Sequence, residues 1–408
     1  MPNQSFSREI EVSDREAAKY FGFLEYFLGR ESIDSVLSRI ERETKHEKGA
    51  YLHYWVMPKN AFWLGIKEGK KFIHEKIPFA GNLSSNMELS LELAAKLMTL
   101  MDSMPEQKVT EFRDRILGSD NISPTFFELN IASHFWQMGF DIEWLIPSDK
   151  PGIKSPEFIA KNDKSSIEVE CKAKKPDAGR KIQRRNFYRL IDGISEIISG
   201  HKFSGLINIV VPKHLPIDKN SQDEILNSIA SYVKNPVSKV NLDNGVEISF
   251  DIKKTNVLLP ANAIGSKIAE IRKPHSLVGV LYSQAGSIYI NPVIICVDSQ
   301  LTDQFLDGVF ESLREANHQF SGKLPGLICC LVPEIEDFTG MENESAVSKM
   351  TEYFFHKHSN RCVFAVSYVS DSQRDQSGIF VSKSMPSLTF MNPNYDNELG
   401  DVPSVYRG

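Results

Sequence analysis

The segment Ile167-Glu168-Val169-Glu170-Cys171-Lys172 alternates apolar and charged residues through six positions. A period of two is the mark of a β-strand, whose successive side chains leave opposite faces. Ile167, Val169 and Cys171 therefore share an apolar face, and Glu168, Glu170 and Lys172 share the other. Shortly before it, Ser155-Pro156-Glu157-Phe158 opens a second strand and brings a further carboxylate. Taking such charges into a sheet is expensive unless they have partners. The usual purpose is to hold a divalent metal and activate a water.

The flanks extend the pattern. Ser123-Pro124 predicts a helix start, with Ser123 as cap and Pro124 in the first turn. The helix runs to Met138 and stops at Gly139. Strands are predicted at 140–146, 156–160 and 166–173, then a long helix over about 180–199. Its apolar stripe is Phe187, Leu190, Ile191, Ile194, Ile197 and Ile198. A strand at 206–211 closes the unit.

This α-β-β-β-α-β order, with an acid after proline on the second strand and Glu-x-Lys on the third, resembles the PD-(D/E)xK nuclease superfamily. That superfamily has the restriction-endonuclease-like fold, and the resemblance covers residues 123–212 or so. It implies a metal-dependent nuclease that hydrolyses phosphodiester bonds, in DNA rather than RNA, and it is compatible with a role in restriction or antiviral defence. Glu128, Glu157 and Glu170 would ligate Mg²⁺ or Mn²⁺, whose hard character suits carboxylate oxygens. Glu157, Glu170 and Lys172 would be the catalytic residues, with Lys172 positioning the water or stabilising charge on the phosphate. Glu168 is a lesser candidate on the same face. Gln183 would face the site from the following helix. The chain departs from the family in one respect: the usual aspartate is Glu157, one methylene longer. The alternatives are a non-cleaving relative that binds nucleic acid, or a partner-binding subunit.

Glu128 has support from spacing alone. Glu128, Ala132 and Phe135 stand at i, i+4 and i+7, one face of a helix, and an acid on an apolar face calls for a partner. The basic run beyond the strand points to a polyanion. Lys172, Lys174, Lys175, Arg180, Lys181, Arg184, Arg185 and Arg189 face a single acid, Asp177. Read as helical, Lys181, Arg185 and Arg189 align at i, i+4 and i+8, where unpaired like charges repel. Such a ridge would neutralise a phosphate backbone. The commoner fate of a charge run is a solvated helix face.

The rest of the chain sets bounds. At 408 residues it exceeds one ordinary core. Three domains are predicted: a mainly helical 1–118, a nuclease-like 119–215, and an α/β region 216–408 that packs with it. Within the first, 51–57 and 61–66 read as short aromatic strands and nothing carries recognisable chemistry. The net charge of −6 excludes a protein that coats nucleic acid wholesale but leaves room for a local basic site. Five scattered cysteines form no CxxC pair and no disulfide framework. No signal peptide or apolar span is visible, so a cytoplasmic protein without a membrane partner is expected, and the sequence has neither an HExxH motif nor P-loop spacing. A homo-oligomer or a partner subunit fits the flanking regions.

Overall fold

The computed structural model describes residues 16–79, 81–118, 121–146, 155–174, 177–199, 201–215, 219–254, 257–271, 276–285, 288–332, 345–357, 360–370 and 387–400. Lys175 of the basic run lies outside them. The elements in chain order begin with helices α1 (Ala17–Leu28), α2 (Arg30–Thr44), α3 (Gly49–Tyr51), α4 (Met57–Lys59), α5 (Ala61–Glu75), α6 (Ser85–Met101), α7 (Glu106–Gly118) and α8 (Ser123–Gln137). Then come β1 (Asp141–Trp144), β2 (Phe158–Lys161), β3 (Ser166–Ala173), α9 (Arg184–Ile198), β4 (Phe203–Val211) and α10 (Lys219–Lys234). They are followed by β5 (Lys239–Asn241), β6 (Glu247–Lys254), β7 (Leu258–Pro260), α11 (Ala261–Ile271), β8 (Leu277–Ala285) and β9 (Ile288–Ser299). The chain continues through α12 (Phe305–Asn317), β10 (Gly326–Leu331), α13 (Ala346–Phe355), β11 (Val363–Val369) and β12 (Ser387–Met391).

The α/β class expected from the sequence is present, but the chain divides differently. One compact unit holds 1–43, 59–176 and 306–408; the other holds 44–58 and 177–305. The domains expected from the sequence ended at 118 and 215. The first unit contains a sheet in the order β1-β2-β3-β10-β11-β12. β1, β2 and β3 form an antiparallel meander, β10 lies parallel between β3 and β11, and β12 is antiparallel at the edge. Helix α8 packs on β1, β2, β3 and β10. The core beneath it includes Phe127, Ala132, Phe135, Phe158, Ile167, Val169 and Leu327. Burying such side chains stabilises the fold by about 25 cal/mol per Å² of apolar surface removed from water.

The second unit carries its own sheet, β5-β6-β4-β9-β7, with β8 also paired to β9. Its core gathers Phe187, Leu190, Ile191 and Ile194 of α9 with Ile207, Ile209, Ile295 and Val297. The expectation that the helix after β3 and the strand at 206–211 complete the first sheet is therefore corrected. Both α9 and β4 belong to the second unit. The strand that pairs with β3 on its far side is β10, in the register Glu170↔Ile328 and Lys172↔Cys330. The apolar runs of β4 and β10 look alike in sequence, and only strand pairing tells them apart. From the C-terminal region, β10, β11 and β12 extend the sheet of the β-meander.

Three local expectations are also corrected. Residues 51–57 are helical, with a π-helical turn at Leu52–Val56 between α3 and α4, and 61–66 form the start of α5. Their aromatic residues mimic a strand, but partners far along the chain decide otherwise. The backbone N–H groups of Ala50 and Tyr51 donate to the Asp192 carboxylate of α9 at 2.5 and 2.9 Å, capping α3. In α5, Phe62, Trp63, Ile66 and Gly69 are buried at helical spacing. A Cβ on Gly65 would collide with the Asn86 carbonyl and the Ser90 hydroxyl, so glycine there lets α5 close on α6. Finally, Ser123 is the first residue of α8 rather than its cap, which is Ile122. Helix α9 begins at Arg184, leaving Arg180 and Lys181 ahead of it.

Candidate functional site

Glu128 is buried in the middle of the first turns of α8, on the face that carries Ala132 and Phe135 into the core. Glu157 lies just ahead of β2, where its N–H donates to the Val169 carbonyl of β3 at 3.0 Å. Glu170 and Lys172 leave the same face of β3, and their side chains form an ion pair at 2.6 Å. The Lys172 ammonium also donates to Gln319 Oε1 at 3.1 Å. The structure thus brings Glu128, Glu157, Glu170 and Lys172 into one neighbourhood of the first unit. Glu168 is buried too, but it accepts the Ser321 N–H at 2.9 Å and ties down the turn before β10.

Helix α7, outside the segment singled out by sequence, supplies what was missed. The Lys108 ammonium is 3.2 Å from Glu128 Oε1, 3.2 Å from Glu157 Oε2 and 3.3 Å from Glu111 Oε2. The side chain of Lys108 is 1% exposed. Arg115 reaches Glu128 Oε2 at 2.6 Å and Glu111 Oε1 at 3.2 Å. Lys108, Glu111 and Arg115 stand at i, i+3 and i+7 of α7, one face of the helix. Lys108 also shares the stripe of Phe112, which lies under its ammonium at 5.2 Å. A lysine on an apolar stripe was the sequence signal for this partner.

The electrostatics are those of a crowded acidic cluster. Burial first, and the charge of Glu157 second, push the Glu128 carboxyl above its ordinary range. Burial and Glu157 likewise push Glu170 up to about 8, against the pull of Lys172. Burial also raises Glu157, but Lys108, Glu128 and Arg115 outweigh it and hold this carboxyl below the usual value. Burial opposes the Lys108 ammonium, yet Glu128, Glu157 and Glu111 together keep it above its ordinary value. One buried carboxylate oxygen, Glu170 Oε2, has no hydrogen-bond partner, and Glu128 Oε1 is met by the Lys108 ammonium at 3.2 Å.

Hard carboxylate oxygens, one of them unsatisfied, suit a divalent cation in kind. Among the described residues, however, no three His, Cys, Asp or Glu side chains are gathered as a ready metal cage. The centre of the carboxylates is held by Lys108.

The basic run divides between the two units. Lys174 follows β3 in the first, while Arg180 to Arg189 belong to the second. Four of its charges, expected from the sequence to be unpaired, have acidic partners. Lys181 pairs with Asp298 at 2.6 Å, Arg180 with Asp303 at 3.6 Å, Arg184 with Asp177 at 3.3 Å and Arg189 with Glu47 at 3.7 Å. Three of these four acids come from distant sequence, which is why they could not be counted. Gln183 is the cap residue of α9 and accepts from Asn186, within the second unit. Aromatic rings accompany the arginines: Arg189 lies 4.4 Å over Tyr51, Arg184 5.9 Å over Trp55, and Tyr54 stacks on Tyr188 at 5.6 Å. Burial leaves the thiols of Cys329 and Cys330 well above their ordinary values, so both are inert core residues. No described helix is long and apolar enough to cross a membrane.

The chain matches no family model, no curated protein and no solved structure.

Proposed function

We propose that this protein is a metal-dependent nuclease acting on nucleic acid, with DNA the expected substrate. The observation that carries the reading is the convergence of Glu128, Glu157 and the Glu170–Lys172 pair from three elements on one buried cluster. Topology supports it. With the second unit set aside as an insertion, α8-β1-β2-β3-α12-β10 retains the α-β-β-β-α-β order of the restriction-endonuclease-like fold. Glu128, Glu157 and Glu170 would hold Mg²⁺ or Mn²⁺, and the bound ion would polarise the phosphodiester and acidify a water. Lys172, braced by Glu170 and Gln319, presents a fixed ammonium to charge developing on the phosphate. The arginine and aromatic surface around α9 supports a nucleic-acid partner, since guanidinium groups meet phosphates and rings stack on bases.

A second reading is favoured by Lys108: a relative that binds nucleic acid without cutting it, with the ammonium as a permanent structural cation. One assay separates the two. Supercoiled plasmid, single-stranded DNA and RNA are incubated with Mg²⁺ or Mn²⁺ and the wild type, Lys172→Ala or Glu170→Ala. The wild type is expected to cut, with rates falling by about 10² or more in each variant. Failure of the wild type to cut any substrate, or equal cutting by the variants, overturns the nuclease reading.

A further inference from the structure

Lys108 belongs to α7, which contributes nothing to the strands, yet its ammonium lies within 3.4 Å of carboxylates from α7, α8 and the approach to β2. It has no exposure to compensate for burial, and its stem runs beside Phe112 and Trp144, with the ammonium 5.2 and 5.8 Å from their rings. The ammonium therefore stands where a cation bound by Glu128 and Glu157 would stand. In their charged forms the neighbourhood has four carboxylates, Glu111, Glu128, Glu157 and Glu170, against three cations, Lys108, Arg115 and Lys172. A divalent ion in place of Lys108 would balance these charges. An ion added beside Lys108 would have to enter against a like charge in a poorly screened interior.

We infer that Lys108 is a built-in competitor for the metal: the pocket of Glu111, Glu128 and Glu157 is closed by its ammonium, and a divalent cation binds by displacing it. The inference rests on the nuclease reading for its choice of metal, and it adds Glu111 to the pocket. The long flexible stem of lysine allows the displaced ammonium to move outward along α7. Arg115, forked between Glu111 and Glu128, keeps the two carboxylates in place during the exchange.

The test measures Mn²⁺ binding by titration calorimetry, with no nucleic acid present, for the wild type, Lys108→Met and the double variant Lys108→Met/Glu128→Gln. Lys108→Met should bind one Mn²⁺ per chain about tenfold more tightly or better than the wild type, and the double variant should lose that gain. Equal or weaker binding by Lys108→Met, or a gain that survives Glu128→Gln, overturns the inference. Removing one partner of a buried ion cluster weakens the fold, so thermal melting provides the second measurement. Mn²⁺ should raise the Tm of Lys108→Met more than that of the wild type. Equal shifts, or a variant that stays unfolded in Mn²⁺, overturn the inference, because the metal then fails to take the place of the ammonium. Tight Mn²⁺ binding by Lys108→Met with no cleavage by any form would remove the nuclease reading and leave this inference standing. Metal-dependent cleavage by the wild type with no gain in Lys108→Met would do the reverse.

Discussion

Glu170 shows how much of the site resides in single ionisations. Its carboxyl is buried on β3 and pushed up to about 8 from an ordinary 4.5. A folded state that holds a proton more tightly than the unfolded chain is stabilised below the unfolded value and loses that stabilisation as pH rises through the folded one. The window is therefore about pH 4.5 to 8. The Tm of the wild type should fall across it relative to that of Glu170→Gln, which keeps the shape without the charge. A relative loss on the order of 5 °C is expected between pH 6 and 9; parallel Tm profiles for the two proteins would contradict the burial argument. Glu157 has the opposite sign. Held below its ordinary value by Lys108, it contributes stability that is present above about pH 4.5 and lost on acidification. Acid melting should therefore be less steep in Glu157→Gln than in the wild type.

Elements differ in how openly the sequence declared them. Strand β3 appears over the expected 166–173, because its apolar face is continuous and its other face is charged. Helix α8 follows from periodicity and punctuation. By contrast, α3, the π turn and the start of α5 read as strands, since their helical state depends on Asp192 and on the surface of α6. Gly65 makes that dependence testable. Gly65→Ala adds only a methyl, but the methyl meets α6 backbone, so a loss of about 1–3 kcal/mol is expected in urea unfolding. Helix propensity alone would predict a small gain instead. The stack of Tyr54, from the π turn, on Tyr188 of α9 beside the arginines gives a second element-scale prediction. Tyr54, 58% exposed, offers a ring to a base. Tyr54→Ala should weaken single-stranded DNA binding by about 1–3 kcal/mol in fluorescence anisotropy, and unchanged affinity would argue against a stacking surface.

At the scale of the molecule, residues 177–305 separate β3 from the helix and strand that complete its sheet. Each unit has its own core, so each has its own capacity for cooperative unfolding. Phe135→Ala truncates the first core and Ile194→Ala the second, and each should cost about 2–5 kcal/mol. In scanning calorimetry the two variants should lower different transitions. One shared transition, shifted equally by both, would show that the units unfold together.

The chain's local chemistry determined the α/β class, the β-meander, the buried face of α8 and the assignment of Glu128, Glu157, Glu170 and Lys172 to one locality. Those follow from periods of two and 3.6 and from the cost of burying charge. Tertiary structure alone decided that β10 rather than β4 pairs with β3, that Arg180, Lys181 and Arg189 have acidic partners, and that Lys108 sits among the carboxylates. Pairing between strands and between charges is set by partners distant in the chain. A pattern confined to neighbouring residues records that a side chain needs a partner without naming which one it finds.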